Sequence, residues 1–129
     1  MNKKIPPEYY ESEYWVKNDK EVLVSFKVNE RGACKTLSKK TFGIITAWNP
    51  FGKKRTTEKY KKSNRILESK LKELHLNCYK TNCGLKNHKE ESFTVEDVKK
   101  DVIVALGKLF NQKAVLYSTP KKTEIISCL

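Results

Sequence analysis

Apolar and polar positions first alternate between residues 22 and 28, where Val22, Val24, Phe26 and Val28 are separated by Leu23, Ser25 and Lys27. A two-residue period predicts a strand with one buried face. The stretch Glu13 to Lys17 comes before it, and Asn18-Asp19 between the two reads as a hairpin turn. Glu8 to Ser12, behind Pro6-Pro7, reads as a short helical turn, and residues 1–7 as a loose basic tail. Thr41 to Trp48 is the next strand. It has no polar face, so it is expected at the centre of a sheet, covered on both sides. Pro50 has no N–H for a ladder and biases Asn49 away from helical angles, so the chain must leave the sheet there.

The period then changes to that of a helix. From a cap at Thr56 or Thr57 to about Leu74, the residues Tyr60, Leu67, Leu71 and Leu74 share one face, flanked by Ile66. Asn64 falls on the same stripe. A buried carboxamide there needs partners, and the backbone groups released where the chain turns at Trp48-Asn49-Pro50 are the nearest in sequence. Cys78 and Tyr79 open a strand expected to enter a turn at Asn82-Cys83-Gly84. Lys89 to Val95 is another strand, with Phe93 and Val95 facing one way. A second helix is expected from Asp97 to Phe110, its core face made by Val98, Val102, Ala105, Leu106 and Leu109; Thr94 could instead cap a longer helix. Lys113 to Thr119 and Lys122 to Ser127 form a closing hairpin around Pro120-Lys121. The order β-β-β-α-β-β-α-β-β predicts one α+β domain over residues 1–129, a single antiparallel or mixed sheet with two helices packed on one face.

Composition adds a partner class. Twenty-seven Lys and Arg against fifteen Asp and Glu give a formal charge of +12. Such a surface attracts polyanions, nucleic acid among them. The competing reading is that the lysines only keep the surface solvated, since Arg, the better phosphate fork, occurs only at Arg31, Arg55 and Arg65. No apolar run is long enough to span a membrane, and the basic N-terminal residues are not followed by a signal-peptide core, so a cytoplasmic location is expected. The four cysteines are expected to be reduced thiols.

Several residues match a known pattern. Ile45-Thr46-Ala47-Trp48-Asn49-Pro50 resembles the core of an uncharacterised bacterial domain family, a domain of unknown function whose members share a T-A-W-N-P strand end. Tyr14, the Asn64/Leu67/Leu71 spacing, Glu91-Ser92-Phe93 and Phe110 to Val115 resemble further family features in the same order. Two positions depart from it: Ser63 stands where many members carry Arg, and Asn111 where they carry Gly. The resemblance implies a small α+β domain and carries no activity.

Four constellations have chemical content. His75, Cys78, Cys83 and His88 have the spacing of a zinc knuckle with permuted ligand types, but the segment also reads as a helix end, strand and turn, and metal is not expected. Glu90, Glu91 and Ser92 with His75 or His88 would make an acid/base site only if a cleft joined them. The set Thr46, Trp48, Asn49, Asn64, Glu91 and Gln112 sits at element ends or on core-facing stripes. It is either a hydrogen-bond network that pins loop to helix or the lining of a ligand pocket. Lys53, Lys54, Arg55, Lys59, Lys61, Lys62 and Arg65 form a candidate anion-binding face, with Tyr60 as a stacking group. The first expectation for function is therefore a non-catalytic binding module for an anionic partner such as nucleic acid. The alternatives are a small enzyme or nucleotide-binding protein with its site at the Trp48-Asn49 corner, and a protein-interaction module. No motif calls for a cofactor.

Overall fold

A computed structural model describes residues 5–28, 40–47, 57–85 and 88–129, with only the backbone at Thr57 and His88. Among these residues the order is α1 (Glu8–Glu11), β1 (Tyr14–Lys17), β2 (Leu23–Phe26), β3 (Phe42–Ile45), α2 (Thr57–Glu73), β4 (Asn77–Leu85), β5 (His88–Glu96), α3 (Lys100–Leu109), β6 (Ala114–Ser118) and β7 (Thr123–Ser127). The fold is α+β, and the expected succession of strands and long helices holds. The expected single sheet does not. β4-β5-β3-β6-β7 form a five-stranded antiparallel sheet, while β1 and β2 form a separate two-stranded one. The alternation at residues 22–28 and the Asn18-Asp19 turn identified the β1–β2 hairpin, but not that it stands apart from the large sheet, which only long-range packing decides.

β3 is central, and all four of its residues are buried. Its alternate side chains feed two cores. On one face Ile45, Phe93, Val95, Val115 and Tyr117 meet Leu67 and Leu71 of α2 and Ile103 and Leu106 of α3. On the other, Phe42, Ile44, Ala114, Leu116 and Ile125 meet Tyr14, Val16, Phe26 and Val28 of the hairpin. Phe26 joins the layers through a tilted contact with Tyr14 and an edge contact with Phe42, at ring separations of 5.9 and 6.1 Å. Ile5 also packs on this second core, so the expected loose tail does not extend to it. Over β4 and β5 the hairpin covers hydroxyls instead of apolar groups. Thr81 bonds Ser92 and Thr94 at 3.0 and 3.1 Å, and Thr94 donates to the Trp15 carbonyl at 2.8 Å.

The local turns explain the element ends. Asn18 Oδ1 accepts from the Lys20 and Val22 amides, closing the β1–β2 turn, and Glu21 takes a φ of 62° there. α2 ends with Leu76 N–H donating to Leu71 and His75 N–H donating to Lys72, with His75 at φ 58°. α3 repeats the device: Gln112 donates to Gly107, Asn111 donates to Lys108, and Asn111 has φ 58°. Both are paired-bond helix stops that call for a left-handed residue, normally glycine. Asn111 suits this place, because Asn tolerates that conformation best after glycine.

Four expectations need correction here. Asn82-Cys83-Gly84 is not a turn but part of β4, paired with Glu91, Glu90 and Lys89. Leu74 lies past the end of α2 and is 42% exposed. α3 begins three residues later than expected, which rotates its buried face. Ile103, Leu106 and Gly107 are buried, whereas Ala105 and Leu109 are exposed and Val102 is half-buried. Gly107 makes that face possible, since a Cβ there would come within 2.8 Å of Val115. Val22, at the hairpin turn, is exposed and not core.

Candidate functional site

The β3–β5 ladder pairs Phe42 with Glu96 and proceeds to Ile45 with Phe93. Two residues further, the same register would set Ala47 opposite Glu91. That rung is not made directly. The Asn64 carboxamide stands in it: its Oδ1 accepts the Ala47 amide proton at 2.8 Å, and its Nδ2 donates to the Glu91 carbonyl at 2.9 Å. A side-chain amide has one face of each polarity, as a peptide group does, so it can replace a missing strand for one rung. Thr46 Oγ1 also donates to the Glu91 carbonyl, at 2.7 Å. Asn64 is wholly buried and sits among Tyr60, Leu67 and Leu71 on the inner stripe of α2. The bonds therefore fix where α2 lies against the end of β3.

Thr46, Asn64 and Glu91 are thus brought together, with Glu91 joined through its backbone. Gln112 is buried at the same end of the sheet, in the stop of α3, where its Nε2 donates to the Phe110 carbonyl at 3.2 Å. Trp48 and Asn49 lie outside the described residues, as do Lys53, Lys54 and Arg55. Lys59, Lys61, Lys62 and Arg65 are exposed on the outer side of α2. No described carboxylate forms an ion pair with Lys61, Lys62 or Arg65. Tyr60 is only 7% exposed, so it cannot stack on a base; its place on the apolar stripe, four residues before Asn64, decides this.

The other constellations are not assembled. Cys78 packs on the helix side of β4 and Cys83 on the hairpin side, because an odd spacing in a strand sends side chains to opposite faces. The zinc-knuckle spacing therefore does not converge, and the His88 side chain lies outside the described residues. Burial pushes the Cys83 thiol up to about 12 and Cys128 up to about 11, and raises Cys78 as well. All three are neutral near pH 7 and are poor nucleophiles. Glu91 faces away from Glu90 and Ser92 for the same reason of alternation. His75 precedes Asn77, which pairs with Glu96, five residues along β5 from Glu91 and so roughly 16 Å away. Among the described side chains, which do not include that of His88, no acid/base pair forms there.

One feature was missed in the sequence. A groove of about 300 Å³ opens beside β4, between a wall of Trp15 and Leu23 and a wall of Lys80, Thr81 and Asn82, with Lys89 and Glu91 at its end. The available signal was Gly84, since an isolated glycine in a strand pattern marks close backbone approach.

Among the described residues no helix is long and apolar enough to cross a membrane. The family described as "Protein of unknown function (DUF3293)" matches residues 45–115, from the last residue of β3 to the second residue of β6. That span encloses the Asn64 rung, both long helices and the β4–β5 hairpin. No curated protein and no solved structure matches the chain.

Proposed function

The chain belongs to the DUF3293 family, and from the geometry of α2 we propose that it is a non-catalytic binding module for a polyanion, with nucleic acid the best fit. The observation that carries this is the outer side of α2. Lys61, Arg65 and Lys72 share one stripe of it, with Lys62 beside them and Glu68 between Arg65 and Lys72, and the first and last are about 16 Å apart along the axis. Glu58 and Glu73 lie near its two ends. Cationic groups spread over that length, interrupted by Glu68 alone, match a repeating phosphate backbone better than a single small anion. With Tyr60 buried, α2 offers no stacking platform, so contact there is to phosphates and indifferent to sequence. The sealed Asn64 rung supports the same reading, since the polar groups of Thr46 and Asn64 are engaged within the protein.

A labelled oligonucleotide of mixed sequence, titrated at about 50 mM and about 200 mM salt, tests it. Affinity should fall at least about tenfold between the two, because released counterions scale with the phosphates contacted. Replacing Lys61, Lys62 and Arg65 together by Gln should flatten that salt dependence while leaving the melt unchanged. Absence of binding at the lower salt would end the reading.

A further inference from the structure

The groove beside β4 has an origin in the backbone. Glu13 and Gly84 exchange both backbone hydrogen bonds, at 2.8 and 3.2 Å, so β1 starts as a sixth strand on the edge of the large sheet. It does not continue as one. β1 climbs over the sheet face, where the Trp15 carbonyl is taken by Thr94. Among the described residues, the edge of β4 from Gly84 toward Asn77 is therefore left open. Since Gly84 turns its N–H and carbonyl outward, strand alternation turns those of Asn82, Lys80 and Cys78 outward too. The far side agrees: Glu91, paired with Asn82, points its carbonyl the other way, at Asn64. No described group bonds the outward backbone atoms of Cys78, Lys80 or Asn82.

The rung that is made shows what the edge selects. Glu13 lies opposite Gly84, which has no side chain, and reaches across it to Lys89 at 3.2 Å. An added strand here presents a carboxylate on the helix side and meets a lysine. The next lysine on that side of the open edge is Lys80, exposed and without an ion pair among the described residues. On the opposite side, level with Thr81, the added strand would meet Trp15 and Leu23, the latter 44% exposed. A lysine at mid-edge also repels basic strands and deters edge-to-edge self-pairing.

We propose that the open edge of β4, from Asn82 to Cys78, docks an extended segment of another protein that continues the Glu13–Gly84 ladder. The segment carries an acidic residue opposite Lys80 and an apolar residue opposite Thr81. Main-chain bonds supply affinity and the alternate side chains supply selection, as in other strand-addition complexes. The surface is separate from the outer side of α2, so the two proposals stand or fall independently.

The probe is an acetylated, amidated hexapeptide of alternating glutamate and valine, with a second copy N-methylated at every other amide. Amide hydrogen exchange followed by NMR is the readout. The unmodified peptide should slow exchange at Lys80 and Asn82 by at least about tenfold at saturation, and the methylated copy, of equal charge, should not. Lys80→Glu should weaken the peptide about fivefold or more, whereas Lys121→Glu, in the β6–β7 turn, should change it far less. Equal effects of the two peptides would mean charge attraction alone and would overturn the proposal. No protection would overturn it too. So would protection that appears without peptide and grows with protein concentration, since the edge would then pair with a second copy.

Discussion

Two ladders in this sheet stop before the strands do, and they stop differently. At the end of β3 the missing rung opposite Glu91 is filled by the Asn64 carboxamide, which bonds both the Ala47 N–H and the Glu91 carbonyl. At the edge of β4 the ladder begun by Glu13 and Gly84 breaks off and the next outward groups face a groove. The first gap lies under a helix, where an unmade backbone bond has no water to fall back on. The second lies at the surface, where water can serve until a partner arrives. A buried gap therefore has to be closed by the chain itself, and an exposed one can be left as a site.

The largest effect should come from reopening the first gap. Asn64→Leu keeps the apolar stripe but leaves the Ala47 N–H without an acceptor, while the Glu91 carbonyl retains Thr46. The expected loss is about 2–3 kcal/mol in a denaturant melt. Asn64→Asp should be no better, because a carboxylate can accept from Ala47 but has no proton for Glu91 and places charge in a dry site. Thr46→Val should cost less, about 1 kcal/mol, since Asn64 still holds the same carbonyl. A loss at Asn64 no greater than at Thr46 would mean that the carboxamide does not stand in for the rung.

A smaller effect of opposite sign separates the rung from the helix that carries it. His75 closes α2 in a left-handed conformation that a glycine adopts without strain. His75→Gly should stabilise by about 0.5–1 kcal/mol, and Asn111→Gly by less, since Asn tolerates the conformation better. His75, just past the end of α2, lies eleven positions beyond Asn64, roughly 16 Å, so the gain should be the same in wild type and in Asn64→Leu. A gain that vanished in Asn64→Leu would show that losing the rung displaces the whole helix.

The buried gap was legible in the sequence and the exposed one was not. Asn64 is a polar residue on a 3.6-period apolar stripe, and Pro50 marks a chain leaving a sheet; together they point to a carboxamide meeting freed backbone groups. Ala47 and Glu91 could not be named as its partners, because they contribute an N–H and a carbonyl that every residue has. β4 shows the reverse. Its residues alternate poorly, Asn82 and Gly84 imitate a turn, and only the pairing with β5 and with Glu13 shows a strand with one open side. The separation of the β1–β2 hairpin from the large sheet and the rotated face of α3 were missed for related reasons. One depends on which strands meet, and the other on the helix starting at Lys100, not Asp97, which takes a φ of 53° and cannot begin a helix.

The smallest effect is the sharpest check on the exposed gap. Asn82 is exposed, lines the groove and has no described hydrogen-bond partner for its side chain. Threonine is the better strand residue on a half-exposed edge, so Asn82→Thr removes nothing the fold needs and improves the local preference. Stability should stay within about 0.5 kcal/mol of wild type, as for surface changes away from caps and buried networks. Binding of the glutamate–valine hexapeptide should also persist, because the outward N–H and carbonyl of residue 82 belong to the backbone and are unchanged. Asn82→Pro keeps the carbonyl but deletes that N–H, which no described group uses, and it should abolish the peptide's protection of Lys80. If Asn82→Thr instead cost more than about 1 kcal/mol, the edge would already be engaged within the folded chain. The two gaps would then both be closed, and the contrast between them would fail.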